Sequence, residues 1–106
     1  MINVKISGFD WDSGNKDKCQ RHGVSQTVIE QFFKQESISL SRDKHHSQQE
    51  KRFLAIGHSQ TKRSMVVAFT LREKDGEVRI RPISARYMHA KEFKKYEKEN
   101  PHIQEW

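Results

Sequence analysis

Apolar and polar residues alternate with period two over Val4-Lys5-Ile6-Ser7-Gly8-Phe9, the spacing of a half-buried strand. Asp10-Trp11-Asp12-Ser13 follows, with side chains that accept from the free amides of a helix's first turn. A short polar helix is therefore predicted through Asn15, Lys16 and Cys19, ending at Arg21-His22-Gly23, where Gly23 takes the left-handed cap conformation and the cations favour the helix dipole. Ser25 is the N-cap of a second helix, with Val24 stapled against Ile29. Val28, Ile29, Phe32 and Phe33 share one face of it, while Gln26, Glu30, Gln31 and Lys34 take the other. A short strand is expected at Ser37-Ile38-Ser39-Leu40, and the wholly polar stretch from Ser41 to Gln49 reads as an exposed loop.

Three strand patterns come next. From Glu50 to His58, Glu50, Arg52, Leu54 and Ile56 fall on one side and Phe53 and Ala55 on the other. Ser64 to Arg72 is the most apolar run and the expected buried strand. Glu77 to Ala85 sets Val78 and Ile80 opposite Arg79 and Arg81. The links, Ser59 to Lys62 and Lys74-Asp75-Gly76, are short enough to force antiparallel neighbours, and Asp-Gly is a hairpin signal. A closing helix from about His89 carries Phe93 and Tyr96 three apart and stops at Asn100-Pro101. The fold class is α+β: two N-terminal helices, a central antiparallel sheet of roughly four strands and a C-terminal helix. A chain of 106 residues has room for one such domain, with a mobile tail expected at 101–106.

Composition narrows the function classes. Only 33% of residues are hydrophobic, and no apolar run approaches the ~18 residues of a membrane span. Met1 to Lys5 lacks the long apolar segment of a secretory signal. Cys19 is the single cysteine, which excludes an intramolecular disulfide framework and a cysteine metal cluster. A cytoplasmic protein with a thin core is expected. Lys plus Arg total 20 against 14 Asp plus Glu, a net charge of +6. Residues 1–49 hold 7 basic and 6 acidic side chains, residues 50–86 hold 9 and 4, and residues 87–106 hold 4 of each. The surplus thus sits in one central segment, the electrostatic footprint expected for a polyanion.

That segment carries Arg52, Arg72, Arg79 and Arg81 on strand patterns. Guanidinium is permanently charged and forks onto phosphate oxygens. The same residues also suit cross-strand pairing with Glu50, Glu73 or Glu77. His22 stands beside a predicted helix end and either shuttles a proton, as phosphodiester cleavage requires, or caps the helix and packs on Trp11. Asp43, His45 and His46 have no matching ligand spacing elsewhere, so neither metal nor cofactor is expected. Cys19 reads as a half-buried helix residue, and scattered glycines exclude Walker and dinucleotide fingerprints.

Phe9-Asp10-Trp11-Asp12, Arg21-His22-Gly23-Val24-Ser25, Glu50-x-Arg52-Phe53 with Gly57, Val66-Val67-Ala68-Phe69-Thr70-x-Arg72 and Ile80-Arg81-Pro82-Ile83-Ser84-Ala85-Arg86 follow in the order and spacing of the BrnT family, and Glu92 and Tyr96 fit as well. From Phe9 to Glu97 the chain resembles these toxins of bacterial type II toxin–antitoxin pairs. The resemblance implies a RelE-like α+β fold, metal-independent endonucleolytic cleavage of RNA, and a BrnA-type antitoxin partner with a ribbon-helix-helix DNA-binding region, through which operator DNA is reached. On that reading Arg79 and Arg86 stabilise the phosphate, Arg52 clamps it, His22 or Glu50 transfers protons, and Lys16, Arg72 and Arg81 bind RNA. Ile103 to Trp106 is a candidate antitoxin contact, and Glu92 a helix partner for Lys95. The rival reading is a non-catalytic basic interaction module or a co-repressor subunit. Two residues depart from the family pattern. Arg21 stands where many members have Lys, and Pro82 stands where Ile is common. A proline requires that strand to be an edge or bulged there, and a bulge re-aims Ser84 and Arg86 relative to Arg79 and Arg81.

Overall fold

A computed structural model describes residues 6–35, 38–43 and 51–99. Its elements run β1 (Ile6–Phe9), α1 (Ser13–Gln20), α2 (Gln26–Phe33), β2 (Ser39–Arg42), β3 (Phe53–His58), β4 (Ser64–Lys74), β5 (Glu77–Tyr87) and α3 (Ala90–Glu99). The strands form one sheet in the order β1-β5-β4-β3-β2. The α+β class holds, with a correction to the sheet. It has five strands and is mixed, because β1 pairs parallel to β5, while β2, β3, β4 and β5 are antiparallel neighbours. Among the described residues a strand of the sheet, β1, comes first, and the two helices lie between it and the remaining strands. Parallel pairing needs a long crossover, and everything from α1 to β4 separates β1 from β5.

Both helix starts follow the predicted chemistry. Asp12 caps α1, accepting from the Asn15 amide at 3.0 Å while its own amide donates to Asn15 Oδ1 at 2.7 Å, a reciprocal capping box. Ser25 Oγ accepts from the Val28 amide at 3.2 Å at the start of α2. Gly23 has φ +79, the conformation that lets the chain reverse after α1. The polar stretch after Leu40 is shorter than expected: Ser41 and Arg42 continue β2, and Ser41 and Asp43 are buried. Pairing with Leu54 and Phe53 captures these two residues, so tertiary pairing overrides local polarity.

Alternation divides the sheet into two faces. On one, Phe53, Ala55, Met65, Val67, Phe69, Ile80 and Ala85 meet Cys19, Val24, Ile29 and Phe32 from α1, the turn after it and α2. Phe33 packs edge-on to Phe69 with centroids 5.0 Å apart. Each such large side chain taken fully from water contributes ~1.5–3 kcal/mol, which is how a chain poor in apolar residues still closes a core. Gly57 lets these side chains pack close, since a Cβ would stand 3.0 Å from Ile38 Cγ2 and 3.2 Å from Phe32 Cε1 and would push them back by a few tenths of an ångström. The second face is thinner: Leu54, Ile56, Val66 and Met88 are covered by Phe93 of α3, with Ala68 and Tyr96 packed beside them. Cys19 is buried rather than half-buried, and burial pushes its thiol up to about 11, so it is no nucleophile at neutral pH.

Helix α1 closes the open edge of β5. The Asp10 amide donates to the Ile80 carbonyl at 2.8 Å, the last backbone bond from the β1 side. The next outward carbonyl, Pro82, accepts from Asn15 Nδ2 at 2.8 Å, and the same nitrogen reaches the Asp10 carbonyl at 3.0 Å. Asn15 is buried and satisfied on both ends of its amide. Asn15→Ala is expected to destabilise the protein by roughly 1–3 kcal/mol, the cost of leaving a buried carbonyl without its donor. Asn15→Asp should not rescue it, because a carboxylate cannot donate to Pro82. Urea midpoints at unchanged m-value check both.

Candidate active site

In β4, Val66, Ala68, Thr70 and Arg72 stand opposite Arg86, Ser84, Arg81 and Arg79 of β5, respectively. All eight share the sheet face that carries α3. This sharing depends on a register shift between Ala68 and Phe69, where Phe69 pairs with Pro82 and Ala68 with Ser84, leaving Ile83 as the extra residue. In an uninterrupted strand, Arg79 and Arg81 would face away from Ser84 and Arg86, because their numbers differ in parity. The bulge restores them to one side. Pro82 is tolerated because its absent N–H lies on the outer edge, beyond the end of β1.

Two adjoining cavities open on this face. The larger, about 330 Å³, is lined by His22, Arg52, Leu54, Ala68, Ser84, Arg86 and Tyr96, with Lys18, Asp43, Val66, Ile83 and Ala85. The smaller, about 280 Å³, is lined by Gly14, Asn15, Lys18, Arg52, Arg72, Arg81 and Ile83. Lys18, Arg52 and Ile83 belong to both and form the wall between them. Lys18 reaches the wall from α1, Arg52 from the residue before β3, and Ile83 from the bulge itself.

Arg81, Arg86 and Arg79 each stand beside a carboxylate among the described residues. Arg81 Nη2 donates to Asp12 Oδ2 at 2.8 Å, and Nη1 lies 3.5 Å from Asp10 Oδ2. The Asn15 amide, followed by the Arg81 guanidinium, holds the Asp12 carboxyl below its ordinary range. Arg86 Nη2 lies 3.0 Å from Glu92 Oε2, with its guanidinium carbon 5.9 Å from the Tyr96 ring centre. The hydrogen bond from Arg86 lowers the Glu92 carboxyl and raises Arg86 in turn. Glu92 thus pairs with Arg86 across elements, and Lys95 meets Glu99 at 3.9 Å instead. Arg79 sits 3.7 Å from Glu77.

Of the residues singled out from sequence, His22, Arg52 and Arg86 meet in the larger cavity, and Arg52, Arg72 and Arg81 in the smaller. Arg79 shares their face but lines neither cavity, and exposed Lys16 lines neither either. Glu50, His45, His46 and residues 101–106 lie outside the described residues. Trp11 turns its indole N–H to Glu30 Oε2 at 2.8 Å, so its polar edge belongs to α2 and not to His22. Among the described residues no group of three His, Cys, Asp or Glu is placed to hold a metal ion, and no helix is long and apolar enough to cross a membrane. Lys18 lines both cavities and was not singled out from sequence, while Asp43 and Ser84, weighed there for a metal and for the bulge, line the larger one. Lys18 follows Asn15 by three positions and precedes His22 by four, a helical face legible in the sequence.

The Arg86–Glu92 pair has a definite pH signature. A lowered carboxyl contributes stability that is fully present above its ordinary value of 4.5 and is lost as pH falls through the lowered one. Glu92→Gln is therefore expected to flatten the acid limb of a melting-temperature profile taken between pH 7 and pH 3. An unchanged slope in the variant would show that the pair carries none of it.

A family model described as ribonuclease toxin, BrnT, of type II toxin–antitoxin system matches residues 11–92. No curated protein matches the sequence. The match takes in α1, the bulge, every described residue lining both cavities except Tyr96, and Glu92. The chain belongs to the BrnT family, ribonuclease toxins of type II toxin–antitoxin systems, and with that membership goes an antitoxin partner.

Proposed function

We propose that the chain is an endoribonuclease that cuts single-stranded RNA, messenger RNA among it, by attack of the substrate's own 2′-hydroxyl and without a metal ion. The observation that carries this reading is the convergence of Lys18, His22, Arg52 and Arg86, from α1, the following turn, β3's entry and β5, on one cavity. The 2′-oxygen gives up its proton and forms a bond to phosphorus, while the bond to the 5′-oxygen breaks. A proton delivered to that oxygen leaves a 2′,3′-cyclic phosphate and a 5′-hydroxyl. Lys18, Arg52 and Arg86 face the charge that grows on the non-bridging oxygens, and His22 exchanges the protons. Fixed cations on a rigid sheet need little reorganisation as that charge develops, which is where electrostatic catalysis gains most.

Arg72 and Arg81 extend the cationic lining into the second cavity and bind flanking phosphates, with Arg79 and Lys16 further out. The antitoxin, of the BrnA type, silences the protein by covering this surface with carboxylates, and operator DNA is bound through that partner. The cytoplasm, where messenger RNA and the antitoxin meet, is the site of action.

The test is cleavage of a labelled RNA by purified protein in excess chelator, with the new ends identified. Cyclic phosphate and 5′-hydroxyl ends are expected. Lys18→Ala, His22→Ala and Arg86→Ala should each slow cleavage by ~10²–10³, and Arg79→Ala by less than about tenfold. Loss of activity in chelator would overturn the metal-independent route. Full activity in the first three variants would overturn the residue assignment. Saturable RNA binding with no new ends would leave a non-catalytic binding module.

A further inference from the structure

The two cavities differ in a way that phosphate binding does not account for. The smaller is cationic: Lys18, Arg52, Arg72 and Arg81 line it, and no aromatic ring does among the described residues. The larger has an apolar floor spread over three strands, Leu54 of β3, Val66 and Ala68 of β4 and Ile83 of the bulge. The ring of Tyr96 completes it from α3. A phosphodiester gains nothing from an apolar floor, whereas a nucleobase is flat, apolar on its faces and polar at its edge. Single-stranded RNA is held by bases stacked on aromatic side chains and phosphates tracked by cations, and of these two cavities the larger adds a ring and an apolar floor to its cations while the smaller offers cations without a ring. Their common wall of Lys18, Arg52 and Ile83 keeps base and phosphate subsites adjacent, as consecutive parts of one nucleotide require.

We propose that the larger cavity is also a nucleobase pocket: it takes one unstacked base of the RNA strand against the Tyr96 ring, over the Leu54, Val66, Ala68 and Ile83 floor, with the scissile phosphate beside it on Lys18, His22, Arg52 and Arg86 and the flanking phosphates in the smaller cavity. This rests on the ribonuclease reading above and adds to it a source of sequence preference. Ser84, whose hydroxyl both donates and accepts, and Asp43 are the polar residues of the lining that face a base edge. The half-buried Ala68 sets the depth of the pocket, because it lies on the central strand directly opposite Ser84.

The experiment uses the full chain and a 2′-fluoro RNA oligonucleotide, which lacks the attacking hydroxyl and stays intact, with a single 2-aminopurine moved along it. Anisotropy reads binding, and 2-aminopurine fluorescence reads stacking. Saturable quenching is expected when the probe base occupies one position relative to the bound strand. An abasic nucleotide at that position should weaken binding about tenfold, the loss of one stacked base. Ala68→Leu, which fills the floor and leaves every charge in place, should abolish quenching while salt-sensitive binding persists. With unmodified RNA, the same variant should cut with a flattened base preference.

Binding that saturates with no quenching at any position would overturn the pocket, as would an abasic walk that is flat along the strand. Because the abasic walk uses the unaltered protein, it decides the matter even where Ala68→Leu fails to fold. Quenching without cleavage of ordinary RNA supports the pocket and overturns the cleavage reading alone. Cleavage with no base effect does the reverse.

Discussion

One inserted residue in β5 governs the chemistry of this molecule. Were Ile83 paired in regular alternation, without the bulge, the strand's two halves would present their arginines to opposite sides, with Arg79 and Arg81 on one and Arg86 on the other. With it, side chains nearly the whole length of an eleven-residue strand face a common surface, and Ser84 joins them. The insertion is held from outside by Asn15, which occupies the Pro82 carbonyl where β1 has run out. The polar helix α1 is thus fixed to the sheet by hydrogen bonds as much as by packing. That suits an element with one buried apolar residue, Cys19, and it is also how Lys18 comes to stand at the boundary between the cavities.

The arrangement resolves a conflict inherent in a cationic site on a small protein. Like charges on neighbouring strands repel, and Arg72 stands directly opposite Arg79. Carboxylates offset this: Asp10 and Asp12 for Arg81 and Glu92 for Arg86 from other elements, and Glu77 for Arg79 from the start of β5 itself. Partly exposed pairs of this kind add little stability individually, yet they fix the direction of long side chains that would otherwise sample many rotamers. Arg86 is held between a carboxylate and a ring that both come from α3, one turn apart, so the helix that covers the thin second core also aims a guanidinium into the cavity.

Much of this was legible in the residues. Helix starts at Asp12 and Ser25, the antiparallel order of three successive strands, and the face shared by Arg52, Leu54 and Ile56 follow from capping chemistry and period-two patterning, which are local. Pro82 announced an edge or a bulge, because a missing donor within a strand restricts what the chain can do there, and β5 shows a bulge beside it. What patterning did not yield was long-range. The parallel partner of β1 is separated from it by most of the chain, and β2 runs on through Ser41 and Arg42 only because β3 captures them. Lys18 keeps helical spacing with Asn15 and His22, yet in an almost wholly polar helix no apolar stripe marks which face turns to the sheet. The pairing of Glu92 with Arg86, and not with Lys95, reflects tertiary proximity that outranks the helix's own spacing.

The seam between α1 and β5 joins two roles that proteins often keep apart. Asp12 starts a helix and steadies a cation, and Asn15 completes the same cap while bracing the insertion that aligns the charged face. Architecture and chemistry there share the same atoms. Cells under pressure to escape such a toxin would find inactivating lesions in this capping scaffold as readily as among the arginines it holds in place.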